Sequence, residues 1–226
     1  SAANLNTDAL TNGGAGTYAT ATHNVTVNTT ATVAQLTAID AAAGTVTYTT
    51  ITDSAANLNT DALTNGGAGT YATATHNVTV NTTATVAQLT AIDAAAGTVT
   101  YTTITDSAAN LNTDALTNGG AGTYVTGNHA VTLNSTTTVA QLTAIDAATT
   151  GTITYSMLTD SATNLANDAA TNGGTGTYVK AGHDVIVDSS PATVAQLTAI
   201  DALADTVTYS KVTDTIGNLL ADAGTW

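Results

Sequence analysis

Two patterns of apolar and polar positions alternate along the chain. In the segment from Thr32 to Ala42, Val33, Leu36 and Ile39 recur every three residues, the spacing of an apolar stripe on one helix face. Thr32 and Gln35 form an S/T-x-x-E/Q capping box at its start, in which each side chain takes up a backbone N–H. The spacing predicts a short helix here and again at Thr85, Thr138 and Thr193. A weaker helix is predicted after Asp53, whose carboxylate is placed as an N-cap before Ala56, Leu58, Ala62 and Leu63. It stops at Thr64-Asn65-Gly66-Gly67. His23–Asn28 and Thr45–Ile51 instead alternate Thr or Asn with Val or Tyr, the period-two pattern of half-buried strands rich in β-branched residues.

This strand, helix, strand, helix order recurs. The segment SAANLNTDALTNGGAGTY starts at Ser1, Ser54 and Ser107 and returns with changes at Ser161, which makes the chain a tandem repeat. The first two copies, Ser1 to Asp53 and Ser54 to Asp106, are identical in every residue. The third carries Val125 in place of Ala19 and an extra residue within Ala147–Gly151; the fourth gains one near Ser189-Ser190-Pro191. Residues 1–226 therefore read as one continuous array of repeats 1–53, 54–106, 107–160 and 161–214, with a partial, capping repeat at 215–226. In that last piece Trp226 aligns with Asn12, Asn65, Asn118 and Asn172. The array starts in mid-pattern at Ser1, which reads as a fragment of something longer on that side.

Each repeat divides again. Gly16-Thr17-Tyr18 and Gly44-Thr45-Val46 open two halves of similar size, each matching one coil in a solenoid of the leucine-rich-repeat size class. One repeat has too few large apolar side chains to offset the ordering of its backbone, whereas stacked coils bury those side chains against each other. The fold class expected is a repeat solenoid of the parallel α/β type, with a strand plus a short helix per coil, two coils per repeat and right-handed crossovers. The alternative is a right-handed parallel β-solenoid without true helices. Two coils per repeat give roughly eight to nine layers, about 40 Å of stacked strands.

Composition narrows the partners. Sixteen acidic residues, all Asp, stand against Lys180 and Lys211, for a formal charge of −14. Without a basic patch, nucleic acid is repelled. There is no cysteine, hence no disulfide framework or thiolate metal site, and no apolar run of the ~20 residues that span a membrane. Acidic, Lys-poor, Cys-free sequences suit secreted surface proteins, and trypsin first meets a cleavable residue at Lys180.

The aspartates are the first candidates for chemistry, in three series: Asp8, Asp61, Asp114, Asp168 and Asp222; Asp40, Asp93, Asp146 and Asp201; Asp53, Asp106, Asp160 and Asp214. Stacked, they become ladders of carboxylate, and hard cations seek several such oxygens, so they are candidate ligands for weakly held calcium, the one cofactor considered. The plainer reading has the third series capping helices and the others solvated. Asp40, near a helix C-terminus, opposes the helix dipole and calls for a compensating partner. Histidine occurs once per repeat, at His23, His76, His129 and His183. Two strand spacings, roughly 9.6 Å, would separate equivalent imidazoles, too far to share a metal, so a packing or surface role is expected. No nucleophile elbow, Walker motif or unrepeated polar cluster appears, and no catalytic residue is assigned.

Gly13-Gly14-Ala15-Gly16-Thr17-Tyr18 resembles the GGxGxD nonapeptide of calcium-binding toxin-type repeats, but Tyr18, Tyr71, Tyr124 and Tyr178 stand where that motif has its liganding Asp, so these loops read as turns. Thr45-x-Thr47 pairs, stacked coil on coil, resemble the ice-binding face of antifreeze solenoids, although Val, Tyr and Asn interrupt the rows. As a whole, the TVAQLTAIDAA, VTYTTITDSAANL and NGGAGTY elements resemble arrays in very long repetitive secreted or cell-surface, adhesin-like proteins of bacteria. That resemblance implies an extracellular location and a non-enzymatic role as rod, stalk, filament or surface layer. Head-to-tail self-association through the end coils is the expected partnership, with a calcium-, glycan- or ice-binding surface module as the alternative.

Overall fold

The capping box sets the architecture of each longer helix. In the computed structural model, which describes residues 1–222 and 224–226, the Gln88 N–H donates to Thr85 Oγ1 at 3.2 Å and the Thr85 N–H to Gln88 Oε1 at 3.0 Å. The helix runs Val86–Ala95, with counterparts at Val33–Ala42, Val139–Ala148 and Val194–Asp201, each carrying the same box. Its Leu89 and Ile92 are fully buried. The weaker helices occupy Ala2–Ala9, Ala55–Ala62, Ala108–Ala115 and Ala162–Ala169. Their N-cap is the serine, not the aspartate before it: Ser54 Oγ accepts the Asn57 N–H at 3.2 Å. The serine hydroxyl reaches the first turn with less strain because it already sits at the last extended residue, φ −66° and ψ 152°. With helices closed by backbone bonds such as Leu58 N–H to Ser54 O and Leu89 N–H to Thr85 O, both 3.0 Å, the helix-free alternative does not apply.

The strands are short and parallel. The chain divides into two compact units, Ser1–Ile104 and Thr105–Trp226. In the first, Asn24–Thr26 pairs with Thr45–Thr47, and Thr50–Asp53, Asn77–Val80 and Thr98–Thr100 form a three-stranded sheet in that order. In the second, Ala130–Leu133 pairs with Ile153–Thr154, and Met157–Asp160, Asp184–Val187 and Thr206–Thr208 form the corresponding three-stranded sheet. A helix lies in each crossover between these paired strands, as parallel pairing requires a long connection.

The strand expected over Thr45–Ile51 is broken. Tyr48 and Thr49 leave the ladder, so Thr45–Thr47 pairs with the preceding strand and Thr50–Asp53 with the following one. The crossover from Asn24 to its partner Thr45 is shorter than the one from Thr50 to its partner Asn77, because the second has to accommodate the Gly-rich loop as well as a helix. The two strand-plus-helix halves of a repeat are thus less equal than the glycine spacing suggested. At this break the Tyr48 hydroxyl donates to the Tyr71 carbonyl of the next loop at 3.0 Å.

Between sheet and helices lies a core of Ile51, Leu58, Leu89 and Ile92 in the first unit and Leu142, Ile145, Leu158 and Leu165 in the second, all fully buried. Each of these side chains contributes roughly 2 kcal/mol by leaving water. Alanines at Ala55, Ala62, Ala84 and Ala95 are buried as well and let helices and strands approach closely. The outward strand faces carry Thr45, Thr47, Thr98 and Thr100, all exposed, where β-branched residues suit the pleat.

Candidate functional site

Asp61 lies in the last turn of its helix, where the dipole disfavours a carboxylate, yet it is only 5% exposed. Its Oδ2 accepts the Tyr71 N–H at 3.1 Å and the Ala72 N–H at 2.8 Å, with Oδ1 also 3.3 Å from the Tyr71 nitrogen. Asp114 Oδ2 takes the N–H groups of Thr123, Tyr124 and Val125 at 3.3, 2.9 and 2.7 Å. Asp168 repeats this with Thr177, Tyr178 and Val179 at the same three distances. Consecutive amides wrapped around an anion form a nest, and here the anion belongs to the protein. At Asp8 the Ala19 N–H above all, then those of Tyr18 and Thr17 against the opposing effect of burial, hold the carboxyl below its ordinary 3.8.

The loop so pinned is the Gly-rich turn. Asn65 adopts φ 51°, ψ 36° and is followed by Gly66 and Gly67 at φ 73° and 94°. Gly69, at φ 70°, brings the chain so close to Ala72 that a Cβ there would overlap the Ala72 carbonyl oxygen. The reading of these loops as turns fits that geometry, and the tyrosine in each contributes a backbone N–H.

The series of Asp53 joins two helices. Asp53 Oδ2 accepts the Val33 N–H at the start of Val33–Ala42 at 3.0 Å, while Oδ1 takes the Ser54 N–H at 2.7 Å and Asn57 Nδ2 at 2.9 Å. It therefore serves two helix N-termini, where a negative charge is favoured, without being the cap of either. Asp160 does the same for Val139, Ser161 and Asn164, and Asp214 for Val194, Thr215 and Asn218. Asp106 accepts from Ser107 and Asn110.

Asp40, Asp93, Asp146 and Asp201 remain exposed at helix C-terminal ends. The partner anticipated for this position is a tyrosine: the Tyr178 hydroxyl lies 3.5 Å from Asp146 Oδ2, the long limit of a hydrogen bond. Tyr71 is pushed above its ordinary ionisation range, first by burial and, against the opposing effect of Thr37, by the charges of Asp40 and Asp61. That tyrosine roofs a shallow cleft of about 460 Å³ between helices Val33–Ala42 and Ala55–Ala62, bordered by Ala34, Asn57, Thr60 and Thr64. The second unit has the same cleft beneath Tyr178, of about 500 Å³.

Two of the histidines, His76 and His183, pack on tyrosines of the neighbouring crossover. His76 stacks on Tyr48 with ring centroids 4.2 Å apart and planes 18° from parallel, and its Nδ1 lies 2.7 Å from Thr73 Oγ1. His183 meets Tyr155 at 4.1 Å with the planes tilted by 32°, its Nδ1 3.2 Å from the Ala181 carbonyl oxygen. The Tyr155 hydroxyl donates to the Tyr178 carbonyl at 2.8 Å. At the last partial repeat Trp226 takes over this function. Its N–H donates to Asp222 Oδ2 at 2.9 Å, its carbonyl accepts the Tyr209 hydroxyl at 3.2 Å, and the two rings meet edge to face. Sequence alignment places Trp226 on an asparagine, but in space it replaces the loop tyrosine.

Among the described residues, no group of three or more His, Asp, Glu or Cys side chains comes together as a metal site, and no buried side-chain nitrogen or oxygen lacks a hydrogen-bond partner. The described aspartates therefore do not gather three at a time, and the buried ones are bonded to backbone N–H groups and asparagine side chains. No described helix is long and apolar enough to cross a membrane. Comparison of the chain with family models, with curated proteins and with solved structures found no match.

Proposed function

We propose that this protein is an extracellular structural repeat protein, a rod, stalk, filament or surface-layer subunit in which strand-plus-helix coils stack as a solenoid and associate head to tail through their end coils. The observation that carries this reading is the use made of the polar side chains. Asp61 and Asp168, in separate units, each hold their own loop with the same bonds, and Asp53 and Asp160 each tie two helix starts. Polar chemistry goes identically, repeat after repeat, into holding the coil, as befits a protein whose work is done by length and number. Such a protein is no enzyme, and an acidic surface keeps it soluble outside the cell. Negative-stain microscopy of the native protein tests this: filaments or end-to-end chains are expected, and compact monomers at every protein and calcium concentration would refute it.

The paired clefts favour one second reading, a glycan-binding module. Each combines a tyrosine with Asn and Thr groups, the loop-holding Asp61 or Asp168 and no cation, a mix that can take up an uncharged polyol face. Calorimetric titration with neutral oligosaccharides decides it, an absence of heat removing the reading. The calcium variant has to displace backbone N–H groups already bonded to Asp61 and Asp168, and titration with Ca²⁺ measures whether it does.

A further inference from the structure

Each Gly-rich loop contains an Asn-Gly pair: Asn12-Gly13, Asn65-Gly66, Asn118-Gly119 and Asn172-Gly173. In a flexible chain this dipeptide loses its side-chain amide readily, because glycine has no side chain to shield its nitrogen. The glycine nitrogen attacks asparagine Cγ, a new C–N bond closes a succinimide, the Cγ–Nδ2 bond breaks, and ammonia leaves with the proton from the glycine nitrogen. Water then adds across one imide bond and opens the ring to aspartate or isoaspartate. No electrons are exchanged, and water is the only co-reactant.

Two features of the folded loop block the first step. Asn65, Asn118 and Asn172 have ψ of 36°, 35° and 36°. A tetrahedral Cα at that ψ turns the following nitrogen away from Cβ, so it cannot reach Cγ. The leaving group is also held: Asn65 Nδ2 donates to the Gly69 carbonyl at 2.9 Å, and Asn12, Asn118 and Asn172 make the same bond at 2.8, 2.8 and 3.0 Å. These asparagines are exposed, so water reaches them. Only the geometry is withheld, and the carboxylates of Asp8, Asp61, Asp114 and Asp168 pin the far side of the same loop.

We propose that Asn12, Asn65, Asn118 and Asn172 are latent deamidation sites, gated by the aspartate that holds each loop shut, and that conversion leaves the loop unable to close again. An aspartate at position 172 has no N–H to give the Gly176 carbonyl, and its carboxylate would face that oxygen instead. Isoaspartate, in addition, inserts a methylene into the backbone and lengthens a turn whose two ends the bonds of Asp168 fix.

The fourth repeat makes the test site-specific. Chymotryptic cleavage after Leu165 and Tyr178 yields a peptide, residues 166–178, that contains Asn172, whereas residues 11–18, 64–71 and 117–124 give one shared peptide, TNGGAGTY. Folded and guanidinium-unfolded protein are incubated at mildly alkaline pH, and deamidation of both peptides is followed by mass spectrometry. The folded protein is expected to deamidate at Asn172 roughly 100-fold more slowly than the unfolded. Asp168→Ala is expected to raise the folded rate at Asn172 at least tenfold while the shared peptide keeps its wild-type rate. Equal rates in folded and unfolded protein overturn the proposal. So does an unchanged Asn172 rate in Asp168→Ala, or a rise in both peptides, which would mean that the whole chain opens and the aspartate is no local gate.

Discussion

Replacing Asp168 separates the two contributions of the loop carboxylate, its shape and its charge. In Asp168→Ala three N–H groups lose their acceptor. The Val179 N–H, bonded at 2.7 Å and buried, bears the full cost of an unpaired donor, about 1–3 kcal/mol. The Tyr178 N–H at 2.9 Å adds a comparable but partly hydrated share, and the Thr177 N–H at 3.3 Å little. The total is about 3 kcal/mol, a factor of roughly 100 in the opening equilibrium of the loop. Asp168→Asn keeps an oxygen where Oδ2 now sits and loses only the reinforcement of charge, about 1 kcal/mol, roughly fivefold. Amide hydrogen exchange at Val179, read by NMR in wild type and both variants, gives these factors directly. If Val179 exchanges at the wild-type rate in Asp168→Ala, or if Asn and Ala accelerate it equally, the carboxylate is not what holds the loop.

Other expectations concern pH and backbone. Burial against Tyr48 holds His76 below its ordinary 6.5, so the neutral ring is the folded form. Its stabilisation is complete above the unfolded value and is lost as pH falls through the lower folded one. Urea midpoints taken between neutral and mildly acid pH should fall more steeply in wild type than in His76→Gln. Tyr48 is pushed up to about 12, first by burial and then by the charge of Asp61. The stability it adds is present below the unfolded value of 10 and vanishes as pH rises through about 12, which tyrosinate absorbance and alkaline unfolding should show together. Gly69→Ala and Gly66→Ala both force a left-handed φ on a side chain, but only the first also strikes the Ala72 carbonyl, the second meeting open space. The first should cost about 3 kcal/mol or more and the second about 1 kcal/mol, measured as urea unfolding free energies.

What the sequence makes legible is local. The helix Val33–Ala42 and its capping box depend on residues three apart, and they stand where the spacing puts them. The boundary at Asp53-Ser54 reads one residue early because either side chain can cap. Only the distant Val33 N–H, twenty residues back, shows what draws Asp53 away. The loop staple is invisible in sequence because Asp61 and Ala72 are separated by a path that depends on Asn65 and Gly69 at positive φ. A carboxylate in the last turn of a helix is the only hint, and using it at Asp61 requires the helix end to be placed first. The stacking of His76 on Tyr48 joins neighbouring crossovers and follows from a parallel register that period-two alternation does not encode. The strand break at Tyr48 has the same origin.

The loop staple has a mechanical side. The chain between Asp61 and Ala72 carries no load while the hydrogen bonds last. Pulled along its length, the protein would load those bonds, and once they are lost the stretch from Asp61 to Ala72 can extend to about 35 Å end to end. Slackening spreads a sudden pull over time and distance, and the bonds re-form once the tension passes. In the rod or stalk proposed above, such loops would be reserves of length, one to each repeat.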